Sequence, residues 1–167
     1  MYYADASRVC LEPCVPYGWQ FPDEDVFMPS AKGRGLTCFG LLSRNNKLMF
    51  STTTQNINST FVFEYLDRLS FMLEKPTVIV LDNASVHTAK IIQKQRKVWE
   101  ERGLILFYLP PYSPQLNLIE ILWKMLKYYW LKPEDYAEEQ LLFYKITLAL
   151  AAVGSSLNIN FSDLALV

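Results

Sequence analysis

Three acidic residues, Asp5, Asp82 and Glu120, have the side-chain type and the local setting that divalent-cation chemistry requires. Asp82 directly follows an apolar run at residues 77–81, and Glu120 falls in the first turn of a predicted helix. A carboxylate at the exit of a buried strand and another at a helix start can converge on one cation. Mg²⁺ favours carboxylate, water and phosphate oxygens, so histidine and cysteine ligands are not needed. The three acids are therefore the candidate metal ligands and catalytic residues.

Each acid also has a simpler structural explanation. Asn117 and Glu120 have the spacing of a capping box, in which the glutamate reaches back to the first backbone amide of a helix. Asp82 could form a turn at the end of its strand. Asp5 lies near the amino terminus, where a lone aspartate is usually solvated. Spacing alone leaves these explanations open.

Composition limits the class of protein without revealing its function. The 167 residues fit one domain with a substantial core, and 51% hydrophobic residues exclude a disordered chain. No apolar run reaches the roughly 18 residues that cross a membrane, and the amino terminus lacks the pattern of a secretory signal. Three cysteines without metal-ligand spacing, Cys10, Cys14 and Cys38, predict reduced thiols in the cytoplasm. A net charge of −1 means that binding of a polyanion requires cations gathered on one face.

The first half of the sequence predicts strands and then a helix. Residues 1–5 and 8–11 are short strand candidates, and residues 36–43 and 47–54 predict a hairpin around Arg44-Asn45-Asn46, where asparagine tolerates the positive φ of a tight turn. A helix is predicted from Asn58 or Ser59 to about Glu74, because apolar residues recur there at three- and four-residue steps.

The second half predicts alternating helices and strands. Continuous apolar runs at residues 77–81 and 104–109 are typical of strands covered on both faces. Helices are predicted at about 88–102, 118–130 and 134–150. The order predicts an α/β fold with a mixed sheet and helices on both faces. In such sheets the functional cleft forms at the carboxyl ends of the parallel strands, where Asp82 lies.

Two strings carry a resemblance to a known family. They are LDNASVH at residues 81–87 and LPPYSPQLN at residues 109–117, the second followed by Glu120, Trp123 and Lys127. With a less distinctive match around Asp5 and at Gly18-Trp19, the chain resembles the catalytic domain of DDE transposases of the mariner superfamily, in the branch carried by bacterial insertion sequences. The resemblance extends from Tyr2 to about residue 137.

The resemblance implies a ribonuclease-H-like fold with three antiparallel strands followed by two parallel strands. Residues 1–150 would form the catalytic domain, and residues 151–167 a carboxyl-terminal tail of unknown role. Asp5 would lie on the first strand, Asp82 at the adjacent parallel strand and Glu120 on a helix facing both. Together they would hold two Mg²⁺ ions, for which Mn²⁺ could substitute, and so cleave DNA and transfer strands.

The sequence departs from the family pattern in three respects. Ala6 and Leu118 stand where the family usually has glutamate and proline. The helix-turn-helix region that usually precedes the catalytic domain is not found before Asp5. We therefore expect a separately encoded or truncated catalytic half, with transposon ends and target DNA as partners. A second copy of the chain or a separate helix-turn-helix half would complete it in the cytoplasm at the nucleoid, with no membrane involved.

Two other functions remain open on the sequence alone. One is a structure-selective nuclease or resolvase on the same fold. The other is a degraded or truncated copy that only binds DNA or pairs with a full-length transposase.

Several residues near the acids are candidates for supporting roles. Asn83, Ser85 and Asn117 could form hydrogen bonds beside the site, and His87 could shuttle a proton, contact a phosphate or cap the backbone. Phosphate contacts would come from the cations after Asp82 and Glu120, although a solvated outer face explains any single one equally well. These cations are Lys90, Lys94, Arg96, Lys97, Lys124 and Lys127. We expect the aromatic residues Trp123 and 128–130 to be core residues rather than base-stacking platforms, and Asp67 to lie on the surface.

Overall fold

The computed structural model describes residues 1–12 and 31–161. The features predicted at Cys14, Gly18 and Trp19 lie outside these ranges. The described residues form a five-stranded mixed sheet in the order β3-β2-β1-β4-β5. β1, β2 and β3 are antiparallel, whereas β4 runs parallel to β1 and β5 parallel to β4. The strands are β1 (Tyr2–Leu11), β2 (Ala31–Leu42), β3 (Leu48–Thr53), β4 (Thr77–Leu81) and β5 (Leu104–Tyr108). The predicted strand arrangement is confirmed.

In the described part of the chain, four α-helices connect and cover the strands. They are α1 (Ser59–Met72), α2 (Lys90–Glu101), α3 (Ile119–Met125) and α4 (Glu139–Ala151). None of the helices in the described ranges is long and apolar enough to span a membrane.

Local sequence signals explain where several elements begin and end. The Asn58 side chain accepts a hydrogen bond from the Phe61 backbone N–H at 2.9 Å, which caps α1. Gly103 adopts a φ of +86° directly after α2, where a side chain would be strained. Asn46 adopts a φ of +56° in the turn between β2 and β3, as the predicted hairpin requires.

Three predicted elements differ in extent. The two short strand candidates at residues 1–11 form the single strand β1. The helix predicted at 118–130 ends as α3 at Met125 and continues as a π-helical turn, Leu126–Trp130, closed by the Leu131 N–H to the Leu126 carbonyl at 3.1 Å. The helix predicted at 134–150 divides into a 3₁₀ turn, Pro133–Tyr136, and α4.

The sheet is covered on both faces by apolar side chains. On one face, Tyr3 and Val80 pack with residues of α3 and α4. On the other face, Ala4 and Ile79 pack with residues of α1 and α2. Because side chains alternate along a strand, the odd-numbered positions of β1, including Asp5, face α3. The parallel strands are thus buried on both sides, as their continuous apolar runs predict.

The segment after α4 packs against the hairpin turn. The Asn46 side chain accepts a hydrogen bond from the Ile159 backbone N–H at 2.8 Å and donates one to the Ile159 carbonyl at 3.1 Å. Ile159 is buried in the core, and a Cβ at Gly154 would lie 2.4 Å from the Asn46 carbonyl oxygen. Within the described residues, the stretch predicted as a tail therefore begins as part of the domain.

Asp67, which was predicted to be a surface residue, is only partly exposed, with 30% of its side chain in solvent. Its carboxylate accepts hydrogen bonds from the Trp99 indole N–H and the Arg102 guanidinium, both at 2.9 Å. These contacts join α1 to α2 beside the core. Cys38 is a free thiol whose burial raises its pKa to about 12, so it is an unreactive core residue.

Candidate active site

The register of β1 and β4 brings two of the predicted acids together. Tyr3 pairs with Val80 in this parallel ladder, and Asp5 and Asp82 each lie two residues further along their segments. Extending this register beyond Leu81, where β4 ends, would set the two backbones one strand spacing, about 4.8 Å, apart. The pairing thus brings two segments that are 77 residues apart in sequence onto adjacent strands.

Asp5 is held by a tryptophan from α3. The Trp123 indole N–H donates a hydrogen bond to Asp5 Oδ2 at 3.2 Å, while the Trp123 ring is buried against the sheet. The prediction that Trp123 is a core residue is confirmed, but the same prediction is wrong for Tyr128 and Tyr129, whose side chains are 44% and 64% exposed. The contact of Trp123 with Asp5 was not expected from sequence.

A glycine opposite Asp5 allows α3 to approach the sheet. Gly40 of β2 pairs with Asp5 across the antiparallel ladder. A Cβ at Gly40 would lie 3.1 Å from Ile119 Cδ1 and 3.2 Å from Trp123 Cη2, closer than side chains normally pack. The missing side chain therefore leaves the space that Trp123 occupies when it contacts Asp5.

The electrostatic surroundings of Asp5 disfavour its charge. Burial is the main cause that raises the pKa of Asp5 to about 6; the negative charges of Glu120 and Asp82 act in the same direction, whereas a hydrogen bond from the Ala6 backbone and the charge of His87 oppose it. Because these charges act on Asp5, the three acids share one electrostatic environment. A cation bound beside these carboxylates would stabilise their charged forms.

Asp82 is stabilised as a carboxylate by two donors. The His87 Nδ1 lies 2.6 Å from Asp82 Oδ1, and the Ala84 backbone N–H donates to the same oxygen at 3.0 Å. The hydrogen bond with His87 lowers the pKa of Asp82, with the Ala84 amide acting in the same direction against a burial penalty. Both donors use Oδ1, so neither engages Oδ2.

His87 has a different position from the one expected. Its side chain is only 1% exposed, which leaves little surface for the predicted phosphate contact. The His87 carbonyl accepts a hydrogen bond from the Tyr108 hydroxyl at 2.8 Å, which attaches this loop to β5. Nε2 is buried and has no hydrogen-bond partner among the described residues, so the one side-chain hydrogen bond of the ring is the contact of Nδ1 with Asp82. His87 therefore orients Asp82.

Glu120 lies in the first turn of α3, as predicted, and is exposed. Burial of part of its carboxyl raises its pKa, the charge of Lys127 lowers it, and the charge of Asp82 raises it. Lys127 is therefore the cation that acts on Glu120. The neighbouring Lys124 is exposed one turn after Glu120 on α3.

Asn117 does not form the capping box that its spacing suggested. Its side-chain amide donates to the Ala4 carbonyl of β1 at 3.2 Å, and its own backbone N–H donates to the Pro114 carbonyl. The buried Asn117 thus ties the start of α3 to the strand position next to Asp5. The alternative explanation of Glu120 as a capping residue is not supported by these contacts.

Two further predicted residues lie in the loop after β4. Asn83 is exposed, yet its side-chain amide donates a short hydrogen bond to the Leu109 carbonyl, which links this loop to the proline-rich loop. Ser85 is exposed beside it. Asn83 therefore has a structural contact at the site.

Three carboxylates have the right chemistry for a hard divalent cation. In this structure, however, the three side chains do not converge on one point. Asp5, Asp82 and Glu120 offer carboxylate oxygens, the ligand type that Mg²⁺ and Mn²⁺ accept. Across residues 1–12 and 31–161, no three His, Cys, Asp or Glu side chains lie close enough to hold an ion as they stand. The contacts of Asp82 with His87 and of Asp5 with Trp123 explain where two of the three carboxylates are directed.

The predicted phosphate-binding cations are mostly exposed. Lys90, Lys94 and Lys97 are exposed on α2. Arg96 is also exposed, but it donates to the Leu106 carbonyl at 3.3 Å and lies over the Tyr108 ring at 5.5 Å. Arg96 thus serves to attach α2 to β5.

An open cavity of about 360 Å³ lies beside Asp82. One wall is the loop after β4, with Asn83 and Ala84, and the other is the proline-rich stretch at residues 109–114. The cavity therefore places solvent-accessible space next to a candidate catalytic carboxylate.

Sequence similarity extends over most of the chain. A family described as "DDE superfamily endonuclease" matches residues 1–142. Among curated proteins, no sequence match to the chain was found.

Solved structures share the fold at low sequence identity. The Mos1 strand transfer complex is 12% identical with a TM-score of 0.54, covering 90% of this chain and 51% of that one. The simian T-cell lymphotropic virus intasome is 15% identical with a TM-score of 0.60, covering 82% and 49%. The catalytic core of BIV integrase is 17% identical with a TM-score of 0.52, covering 75% and 79%. The chain thus has the ribonuclease-H-like fold and spans about half the length of the Mos1 and intasome chains.

Proposed function

Since the chain belongs to the DDE superfamily of endonucleases, we propose that it is the catalytic domain of a transposase that cleaves DNA and transfers strands with divalent metal. The observation that carries the proposal is the parallel pairing of Tyr3 with Val80, because Asp5 and Asp82 each follow a paired residue by two positions, while Glu120 lies in the first turn of α3. Mos1 structures include paired-end complexes with Mn and with Mg, which supports the same cations here. A bacterial insertion sequence as its source, and either a second copy or a separate DNA-binding half as its partner, belong to the same proposal.

In this proposal Asp5, Asp82 and Glu120 hold the metal. Bound divalent ions would activate the attacking hydroxyl and neutralise charge on the leaving oxygen. His87 keeps Asp82 ionised and directs Oδ1 towards the protein. Trp123 keeps Asp5 at the face of the sheet that α3 covers.

The decisive experiment measures nicking of supercoiled plasmid by the purified chain with Mg²⁺ or Mn²⁺. We expect nicking by the original chain, and its loss by at least about 100-fold in Asp82→Asn, which keeps the size of the side chain but removes a metal ligand. Asp67→Asn is a matched control, because Asp67 lies between α1 and α2 and should leave nicking unchanged.

Two outcomes would contradict the proposal. Undiminished nicking by Asp82→Asn would remove Asp82 from the site. DNA binding without any metal-dependent nicking would favour a copy of the enzyme that only binds DNA or pairs with an active transposase.

A further inference from the structure

Tyr112 is the most exposed large hydrophobic residue of the described ranges. Its side chain is 99% exposed, whereas the other exposed large apolar residues range from 37% to 70%. Tyr112 lies in the proline-rich sequence at residues 109–117. The proposed roles of the three acids do not explain why this sequence is present. An aromatic ring left in water forgoes the gain from burying its apolar surface, so its position calls for an explanation.

The backbone conformation of Tyr112 is also unfavourable. Its φ of +56° lies in the left-handed region, and the only other non-glycine residue with positive φ in the described ranges is Asn46. Asparagine tolerates this region, but a bulky residue there is rare and costs about 1 kcal/mol or more. Strain of this kind persists only where the surrounding structure imposes it.

The loop around Tyr112 is fixed at both ends. The Leu109 N–H donates to the Leu81 carbonyl at 2.8 Å, and the Leu109 carbonyl accepts from Asn83. On the other side, the Ser113 hydroxyl donates to the Pro111 carbonyl at 3.3 Å, and a 3₁₀ turn begins at Pro114. The ring is therefore held in solvent by a restrained loop.

Tyr112 also lines the cavity that contains Asp82. In the proposed function, a phosphodiester held at Asp82 would therefore lie in the same cavity as this ring. Aromatic side chains bind unpaired bases by stacking on their faces, with little dependence on base identity. A duplex cut at this site must present its backbone to the acids, and an unpaired base next to the cut would then be directed towards the ring.

We propose that Tyr112 is a stacking platform for an unpaired nucleobase adjacent to the phosphodiester held at Asp5, Asp82 and Glu120. This inference rests on the proposed function. From the sequence, Trp123 was one alternative for base stacking, but Trp123 is buried. The exposed Tyr112 takes that role in this inference. The free energy of base stacking would offset the cost of the strained backbone at Tyr112.

The test compares the affinity of the chain for two DNA hairpins that differ by one unpaired 2-aminopurine. Wild-type chain should bind the hairpin with the unpaired base about 5- to 100-fold more tightly and quench its fluorescence. Tyr112→Phe should keep both effects. Tyr112→Gly should lose both effects while remaining folded, because glycine adopts the φ of this position without strain.

Tyr144→Ala is the matched control, since Tyr144 is 61% exposed on α4 and should behave as wild type. An equal preference for the unpaired base in Tyr112→Gly and wild type would overturn the inference, as would the absence of any preference in wild type. A change of oligomeric state in Tyr112→Gly, measured by light scattering, would also overturn it by showing that the ring binds a second copy.

The plasmid-nicking assay separates this inference from the proposed function. Nicking without a Tyr112-dependent preference would overturn the stacking site alone. A Tyr112-dependent preference without nicking would overturn the catalytic proposal, and Tyr112 would then bind an unpaired base without a cleavage site beside it.

Discussion

At the scale of single residues, the two aspartates have opposite electrostatic settings. Burial raises the pKa of Asp5 to about 6, whereas the hydrogen bond with His87 lowers that of Asp82. Paired carboxylates whose surroundings move their pKa values apart are characteristic of functional sites. The difference also predicts how each side chain affects folding.

We expect Asp5→Asn to stabilise the protein by roughly 1–3 kcal/mol at neutral pH. Above pH about 6 the folded chain must carry a charged carboxylate that its surroundings disfavour, and asparagine removes that cost while keeping an acceptor for Trp123. Because the raised pKa makes this cost disappear as pH falls from about 6 to the ordinary value of 3.8, the advantage should shrink over that window. Urea unfolding at several pH values measures it.

Asp82→Asn provides the opposite control for the same measurement. Since the pKa of Asp82 is lowered in the folded chain, its carboxylate stabilises the fold at neutral pH and ceases to do so as pH falls. The amide variant should therefore lose stability at neutral pH. An Asp5→Asn chain that is no more stable than wild type, or whose gain does not vary with pH, would contradict the electrostatic account.

At the scale of elements, the approach of α3 to the sheet decides whether Glu120 and Trp123 reach the acids. That approach depends on the missing Cβ of Gly40, which faces Ile119 and Trp123. The tie from Asn117 to the Ala4 carbonyl fixes the start of the same helix. One glycine and one amide thus set the position of the third candidate ligand.

We expect Gly40→Ala to destabilise the protein by about 1–3 kcal/mol, because the added methyl group overlaps the tightly packed side chains of α3. Trp123→Phe should relieve part of that overlap, since phenylalanine is smaller and has no indole group. In a double-mutant cycle the two changes should therefore cost less together than the sum of each alone. Strictly additive unfolding free energies would show that the methyl group does not contact Trp123.

The sequence predicts the elements better than the contacts between them. The apolar run of β4, the Asn58 cap and the Asn46 turn are local signals, and each gave the observed element. The Trp123–Asp5 hydrogen bond joins residues 118 positions apart, so spacing along the chain carries no information about it. Trp123 follows Glu120 by one helical turn, which was the only sign that both belong to one helix face. The buried pairing of His87 with Asp82 likewise depends on how the loop after β4 folds back.

At the scale of the whole molecule, charge has to be distributed unevenly for DNA to bind, because the net charge is −1. We expect DNA affinity to fall steeply with salt. Lys124→Gln with Lys90→Gln should reduce the slope of log affinity against log salt by about 1 per lysine that contacts phosphate. Short random-sequence duplexes titrated at several salt concentrations measure this.

Lys75→Gln is the control for the lysine variants. Lys75 is exposed and lies before the start of β4, at the opposite end of the sheet from Asp82, so its removal should leave the salt slope unchanged. If DNA affinity did not respond to salt, or if all three lysines contributed equally, binding through the cationic surface near the acids would be ruled out.

The two hydrogen bonds between Asn46 and Ile159 have a consequence for folding during synthesis. During synthesis the hairpin leaves the ribosome long before residues 154–159 do, so its turn must wait for a partner encoded more than 100 residues later. Polypeptides interrupted after α4 would therefore carry every proposed ligand yet lack this closing contact. Such fragments should be the ones that proteases remove first, since the open hairpin would expose the apolar surface that Ile159 covers.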